Sequence, residues 1–390
     1  MKKRAILFQS IFCLLFSATV SAQFPPGAEV AINPMSVDPA TYLDRIKLPP
    51  GFKISIYASN VVAARSLALS PGGVLYVGSR WDDRNSQPGK VYAVVDKNGD
   101  YQADEVLTIA SGLNMPNGVA LHDGDLYVAE VNRITRYGDI DSHLTSPPAP
   151  VVINDGYPND FMHGWKNIAF GPDGRLYVPV GAPANTVEPD ADHGIITSIK
   201  PDGSDKQTLA RGVRNSVGFD WHPLTGELWF TDNGRDLWGN NQPPDELNHV
   251  TKAGQHFGYP HRYGKGLVDD QFKTTLTDAD FTPAALEFPA HNATIGMQFY
   301  TGKSFPEQYQ NQAFIAAHGS WNRAEPDGYR IFVVNIKDNE AVGYDIFASG
   351  WLTEEKKFWG RPVDFAILPD GSLLVSDDFA NCIYRISYEN

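Results

Sequence analysis

Alternating apolar and polar positions, broken by short turn signals, run through most of the chain and predict strands rather than helices. In the segment GVRNSVGFDWHPLTGELWFTDNGRD, Val217, Phe219 and Trp221 share one face, the chain turns at Pro-Leu-Thr-Gly, and it returns through GELWFTD. The same phrase occurs at Arg65–Asp96 (RSLALSPGGVLYVGSR, KVYAVVD), Pro116–Tyr137 (PNGVALHDGDLYVAEVNRITRY) and Lys166–Gly203 (KNIAFGPDGRLYVPVGA, GIITSIKPDG). Tyr76, Tyr127, Tyr177 and Trp229 hold equivalent places, 51, 50 and 52 residues apart, a period that marks stacked supersecondary units. A looser fifth copy, IGMQFYTGKSFPEQYQNQAFIAAHGSWNR with YRIFVVNI, and a sixth, RPVDFAILPDGSLLVSDDFANCIYRISY, complete the series. Six such units predict an all-β fold, a six-bladed β-propeller. GFKISIYAS is expected to supply the outer strand of the last blade and close the ring. Two insertions, Asn233–Phe288 and Val187–His193 with its flanks, are expected to decorate one face. The only helical candidates are short, near Pro39–Ile46 and Pro306–Gln310.

The N-terminus departs from this pattern. Lys2, Lys3 and Arg4 precede an apolar run that ends at Val20-Ser21-Ala22, the form of a secretory signal peptide cleaved after Ala22. Ser-Ile-Phe precedes Cys13, which lacks the small residue of a lipoprotein signal, so a released, periplasmic or secreted protein without a membrane anchor is expected. The reading divides the chain into signal peptide 1–22, Pro-rich leader 23–50 and one propeller domain 51–390. Without the signal the chain holds 29 basic and 46 acidic residues, a net charge of −17, which argues against nucleic acid as a partner. Cys382 is then the one cysteine left, so no disulfide framework supports the fold.

Charge placement adds chemistry. In a propeller the residues just ahead of each repeat converge at the channel mouth, and here they are Arg65, Asn117, His163 with Lys166, Arg214 with Asn215, His318 with Arg323, and Arg361 with Asp364. An acidic chain that sets cations in register at one point is built to meet an anion. The Arg214–Asn215 pair suits a planar anionic partner, because guanidinium offers a rigid donor fork and the amide both a donor and an acceptor. Asp96–Asp104 has calcium-loop spacing at its first, third, fifth and ninth positions, but Tyr101 stands where glycine is usual, and a solvated turn is expected.

The runs LPPGFKISIYAS, ARSLALSPGGVLYVGSR, HGWKNIAFGPDGRLYV, GVRNSVGFDWHPLTGELWFTDNGRD, PPDELN, AAHGSWNR and WGRPVDF resemble the soluble quinoprotein sugar dehydrogenases, particularly the L-sorbosone dehydrogenase-like branch. The resemblance implies a propeller holding pyrroloquinoline quinone (PQQ) and Ca²⁺ at the channel mouth. It implies His163 as general base and Arg214 with Asn215 at the quinone oxygens. The backbone carbonyls of Gly234 and Arg235 would be calcium ligands and Arg361 would grip the cofactor carboxylates. Position in the repeat adds Arg65, Lys166 and Arg323 around the cofactor, and His318 either there or tying blade five to its neighbour. Hydride transfer from a sugar hydroxyl or hydrated aldehyde to PQQ follows, with Ca²⁺ polarising the quinone and Arg214 stabilising its oxygen. Electrons would leave to an external acceptor, a quinone, cytochrome or dye. Two alternatives remain: a calcium-dependent lactonase on the same fold, disfavoured by a channel whose one obvious acid is Asp364, and a non-catalytic propeller that binds a glycan or peptide.

Overall fold

The computed structural model describes residues 33–80 and 89–389. The expected signal peptide and the first part of the leader, 23–32, lie outside the described residues. Six sheets form the blades of a β-propeller. Blade one comprises Ala64–Leu69, Leu75–Ser79, Gly89–Val95 and Glu105–Leu113, each strand antiparallel to the next. Blade six takes Pro362–Ile367, Leu373–Asp377 and Cys382–Tyr388 from the C-terminus and adds Phe52–Ser59 as its outer strand, with Ile54 opposite Ile386. The ring is therefore closed by the segment predicted to close it.

The periodic aromatics account for the repeat. Tyr76 packs in the core between blades one and two, Tyr127 between two and three, Tyr177 between three and four, and Trp229 between four and five. Each is the ring that one blade presents to the next, so its recurrence is a packing requirement. At the inner strands the contact becomes backbone to backbone. A Cβ on Gly218 would overlap the Ile295 carbonyl of the next blade, and one on Gly296 the Val363 carbonyl of the blade after that. Glycine at these two places lets the blades approach closely enough to leave a narrow axis.

One boundary differs from expectation. The segment expected as a single insertion, Asn233–Phe288, contains blade four's third strand, Asp245–Val250, and fourth strand, Leu286–Phe288. Asp-Glu-Leu-Asn lacks the apolar alternation that marks a strand, yet Asp245, Glu246 and Asn248 are all buried. The true insertion lies between these strands. Its Gln255–His256 pairs in parallel with blade three's outer strand Gln207–Arg211, and Arg262–Tyr263 pairs with Leu267–Val268 in a small hairpin. The two short helical candidates are 3₁₀ turns, Pro39–Arg45 and Glu307–Tyr309. The first begins at Asp38, whose carboxylate accepts from the Ala40 amide at 3.1 Å. The leader that follows pairs its backbone with the end of blade five, Lys47 donating to Ser349 at 2.7 Å. Asp96–Asp104 forms the exposed turn expected of it, Asp96 accepting from the amides of Gly99 and Tyr101.

Candidate active site

The heads of the inner strands converge on a cavity of about 290 Å³. Arg65, His163, Arg214, Asn215, Gly234, His318 and Arg361 line it. Other residues expected there are placed elsewhere. Asn117 accepts from Arg65 Nε at 2.8 Å and donates to the Lys166 carbonyl at 2.9 Å, and Asp364 accepts from the Leu67 amide at 3.0 Å, so the acid expected in the channel does not line the cavity. The ammonium of Lys166 turns back into the protein, where the Val131 and Gly164 carbonyls accept from it, and burial pushes its pKa down to about 7. Arg323 donates to the carbonyls of Ala290, at 3.0 Å, and Asn240, so it ties loops together rather than entering the cavity. The Arg235 side chain pairs with buried Asp269, donates to Gln271 at 2.8 Å and lies over Trp238. Its backbone carbonyl and that of Gly234 accept no hydrogen bond among the described residues.

Arg214 is fixed from both ends. Its amide and that of Asn215 donate to the two oxygens of Asp232 at 2.8 and 2.6 Å, which clamps the strand head. The guanidinium donates to the Asn185 carbonyl, to Asn185 Oδ1, to the Asn233 carbonyl and to Asp236, at 2.8–3.1 Å. Asp236 in turn donates its amide to Asn185 Oδ1 at 2.7 Å, so guanidinium and loop hold each other. Burial raises Asp232 to about 6, against the pull of the two amides.

Two imidazoles face the same space. His163 sits at φ 53°, and a Cβ on Gly181 would collide with its own Cβ, so the left-handed turn and that glycine together seat the ring. Its Nδ1 lies 2.8 Å from the Ala182 carbonyl. A carbonyl can only accept, so Nδ1 carries the proton and Nε2 the lone pair. Burial first, then Arg214, lowers its pKa to about 3, so the ring is neutral at physiological pH. His318 has its Nε2 2.9 Å from Asp378, whose other oxygen accepts from Arg65 at 2.9 Å. Arg361 donates to the carbonyls of His318 and Gly319 at 3.2 and 3.3 Å.

The sequence reading missed several groups that line this cavity. Arg80 lies 4.1 Å over the Trp165 ring, a cation–π contact that places a fourth guanidinium beside His163. Asp236 and Asp245 also line it, so the channel is richer in acids than expected, but each is engaged. Asp236 holds Arg214, and Asp245 accepts from the Gly234 amide at 3.0 Å. Among the described residues no three His, Cys, Asp or Glu side chains converge to hold a metal. The mouth is apolar, with Phe161, Met162 and Trp321 each between 41% and 51% exposed. The signal that could have found these groups is proximity to the channel-side strand ends: Arg80 follows blade one's second strand, and Phe161 and Met162 precede His163.

The loop that carries Phe161, Met162 and His163 is latched to the shorter insertion by His193. Its Nδ1 lies 2.7 Å from Asp190 and its Nε2 2.9 Å from Asp160. The two carboxylates outweigh burial and raise the His193 pKa. A raised histidine contributes stability fully below its unfolded value, about 6.5, and loses it as pH rises through the folded value. The difference in melting temperature between wild type and His193→Asn is therefore expected to be largest below about pH 6 and to shrink toward pH 9. Solvent screening of Asp190 limits the effect to about 1 kcal/mol or less. A difference that does not change with pH would contradict the latch.

Comparison with known proteins places this geometry among relatives. The profile of a family described as "Domain of unknown function (DUF7133)" matches residues 38–385. A Borreliella burgdorferi protein described as uncharacterized is 35% identical over 362 residues, spanning 88% of this chain and 91% of its own. A pyrroloquinoline quinone-dependent sugar dehydrogenase of Hypocrea jecorina is 24% identical over 326 residues, spanning 69% and 72% of the two chains. Among solved structures, the calcium structure of a Trichoderma reesei carbohydrate-active enzyme of family AA12 superposes with a TM-score of 0.74 at 19% identity, covering 92% of this chain and 99% of that one. Among the described residues no helix is long and apolar enough to cross a membrane.

Proposed function

The chain belongs to the DUF7133 family, and from that premise we propose that it is a quinoprotein dehydrogenase, secreted or periplasmic, that oxidises a sugar hydroxyl or hydrated aldehyde with PQQ and Ca²⁺. The observation that carries the reading is the convergence of Arg65, Arg80, Arg214 and Arg361 with two imidazoles on one cavity of an acidic protein. PQQ bears three carboxylates and a planar quinone, and needs several donors around one flat space. The residues fit it: the guanidiniums supply charge-assisted donors, and Asn233 and Asn322, which also line the space, carry side-chain oxygens buried without a donor, acceptors that a cation or a substrate hydroxyl would satisfy. The carbonyls of Gly234 and Arg235 are hard oxygen donors of the kind Ca²⁺ prefers. When bound, PQQ supplies a two-electron acceptor and Ca²⁺ a Lewis acid beside it.

The chain's own residues do the rest. His163 Nε2 takes the proton of the substrate hydroxyl, and the Nδ1–H bond to Ala182 keeps that nitrogen basic and aimed. The low pKa of His163 in the free protein is set by burial and by Arg214 and Arg80, whose charges an anionic ligand would offset. Arg214 and Asn215 position the planar partner, and Arg65 and Arg361 hold its carboxylates. Phe161, Met162 and Trp321 form an apolar entrance that suits the C–H faces of a sugar.

A panel of aldoses and hexosones added to PQQ-loaded protein tests the substrate class. The expected result is bleaching of the quinone spectrum by at least one member and re-oxidation by a dye acceptor. Loaded protein that no sugar or hydrated aldehyde reduces would remove this substrate class.

A further inference from the structure

The two imidazoles of the cavity are held in opposite ways. His163 is oriented by a neutral carbonyl, which accepts a proton bond but brings no charge to balance an imidazolium. His318 is oriented by a carboxylate, Asp378, which does. Because Nε2–H of His318 points at Asp378, the bare nitrogen is Nδ1; it accepts no hydrogen bond among the described residues, and His318 lines the cavity. The charged groups that face this ring are Asp378 at the end of blade six's second strand, Arg361 at that blade's head and Arg65 from blade one. Burial and Arg361, with a smaller push from Arg65, keep the free ring neutral, its pKa down to about 3, while its partners hold Asp378 well below the usual carboxylate range.

This balance is set against an empty electropositive cavity, and an anion changes it. Burial still opposes an imidazolium there, but an anion that occupies the guanidiniums offsets the repulsion of Arg361 and Arg65, and the attraction of Asp378 remains. We propose that His318 and Asp378 form a ligand-linked proton site: entry of an anionic ligand draws one solvent proton onto His318 Nδ1, Asp378 stabilises the imidazolium, and His163 stays neutral. The step forms one N–H bond and moves no electrons. Asp378 acts through His318 and is a positioning residue, and it also keeps Arg65 aimed into the cavity. The consequence is a division of labour between the histidines: His318⁺ becomes a further donor to the bound anion, and His163 remains available as a base. This inference rests on the cavity taking an anionic cofactor.

Calorimetric titration with PQQ, in two buffers of different ionisation enthalpy at pH 7, reads the proton directly. Wild type is expected to take up protons on binding, at most one per PQQ, and its Kd to weaken as pH rises. In His318→Gln the uptake and the pH slope disappear while PQQ still binds, and in His163→Gln both remain. Asp378→Asn is expected to behave as His318→Gln; should loss of the Arg65 partner prevent folding, His318→Gln alone decides, because it leaves the Asp378–Arg65 bridge in place. PQQ binding by wild type without proton uptake, or uptake that survives in His318→Gln, overturns the inference and leaves the cofactor reading standing. No PQQ binding by wild type overturns both.

Discussion

His163→Gln is expected to lower the rate of substrate oxidation by roughly 10²–10⁴-fold, the usual contribution of a positioned general base, while PQQ binding is retained. Glutamine keeps a polar amide close to the Ala182 carbonyl but offers no lone-pair nitrogen. The loss should therefore fall on proton abstraction. The ring it replaces is held by three features: a left-handed backbone, a glycine opposite its Cβ and a tautomer fixed by a carbonyl. Single-turnover reduction of loaded protein, alongside equilibrium PQQ binding, separates the two effects. A variant that reduces within tenfold of wild type would remove His163 from the base role.

Arg214→Leu is expected to destabilise the fold by about 3–5 kcal/mol, the range for removing one partner of a buried ion pair, and to abolish PQQ binding. Arg214 is 2% exposed, and its guanidinium ties its own strand head to two other segments, one through Asn185 and one through Asn233 and Asp236. Its loss leaves Asp236 without its cation and two acceptors on Asn185 without that donor. Adding Asp236→Leu should restore part of the stability, because the uncompensated charge is then gone, but should not restore binding. Urea unfolding of the single and double variants measures the first effect, and quinone fluorescence the second. A single variant with a wild-type unfolding midpoint would show that Arg214 is not the keystone of this loop network.

The repeat, the blade number and the ring closure were legible in the sequence because a single interaction recurs: one aromatic per blade packed on the next, in a strand whose alternation is undisturbed. The positions at the channel mouth were legible for the same reason, since register carries them there. What could not be read was the direction of long side chains. Lys166 and Arg323 stand at repeat heads as Arg65 and Arg361 do, but the first two bond carbonyls away from the cavity, whereas Arg65 and Arg361 line it while bonding Asp378 and the carbonyls of His318 and Gly319. Asp378 was passed over because its neighbour in sequence, Asp377, and the turn that follows look like ordinary strand-end chemistry; its bridge to His318 and Arg65 joins blades far apart in sequence. The strand at Asp245–Asn248 hides inside the expected insertion because strand patterning assumes an apolar buried face, and here the buried side chains are mostly polar and Asp245 lines the cavity.

Titrating the purified protein with PQQ, in the presence of Ca²⁺ and in the presence of a chelator, asks whether this cavity is a PQQ site completed by Ca²⁺. The account predicts saturable binding of about one PQQ per chain, tighter with Ca²⁺. It also predicts that Arg361→Ala weakens that binding while Arg323→Ala, whose side chain the fold engages elsewhere, leaves it unchanged. Absence of binding at any Ca²⁺ concentration, or binding that survives loss of Arg214 and Arg361 together, would contradict it.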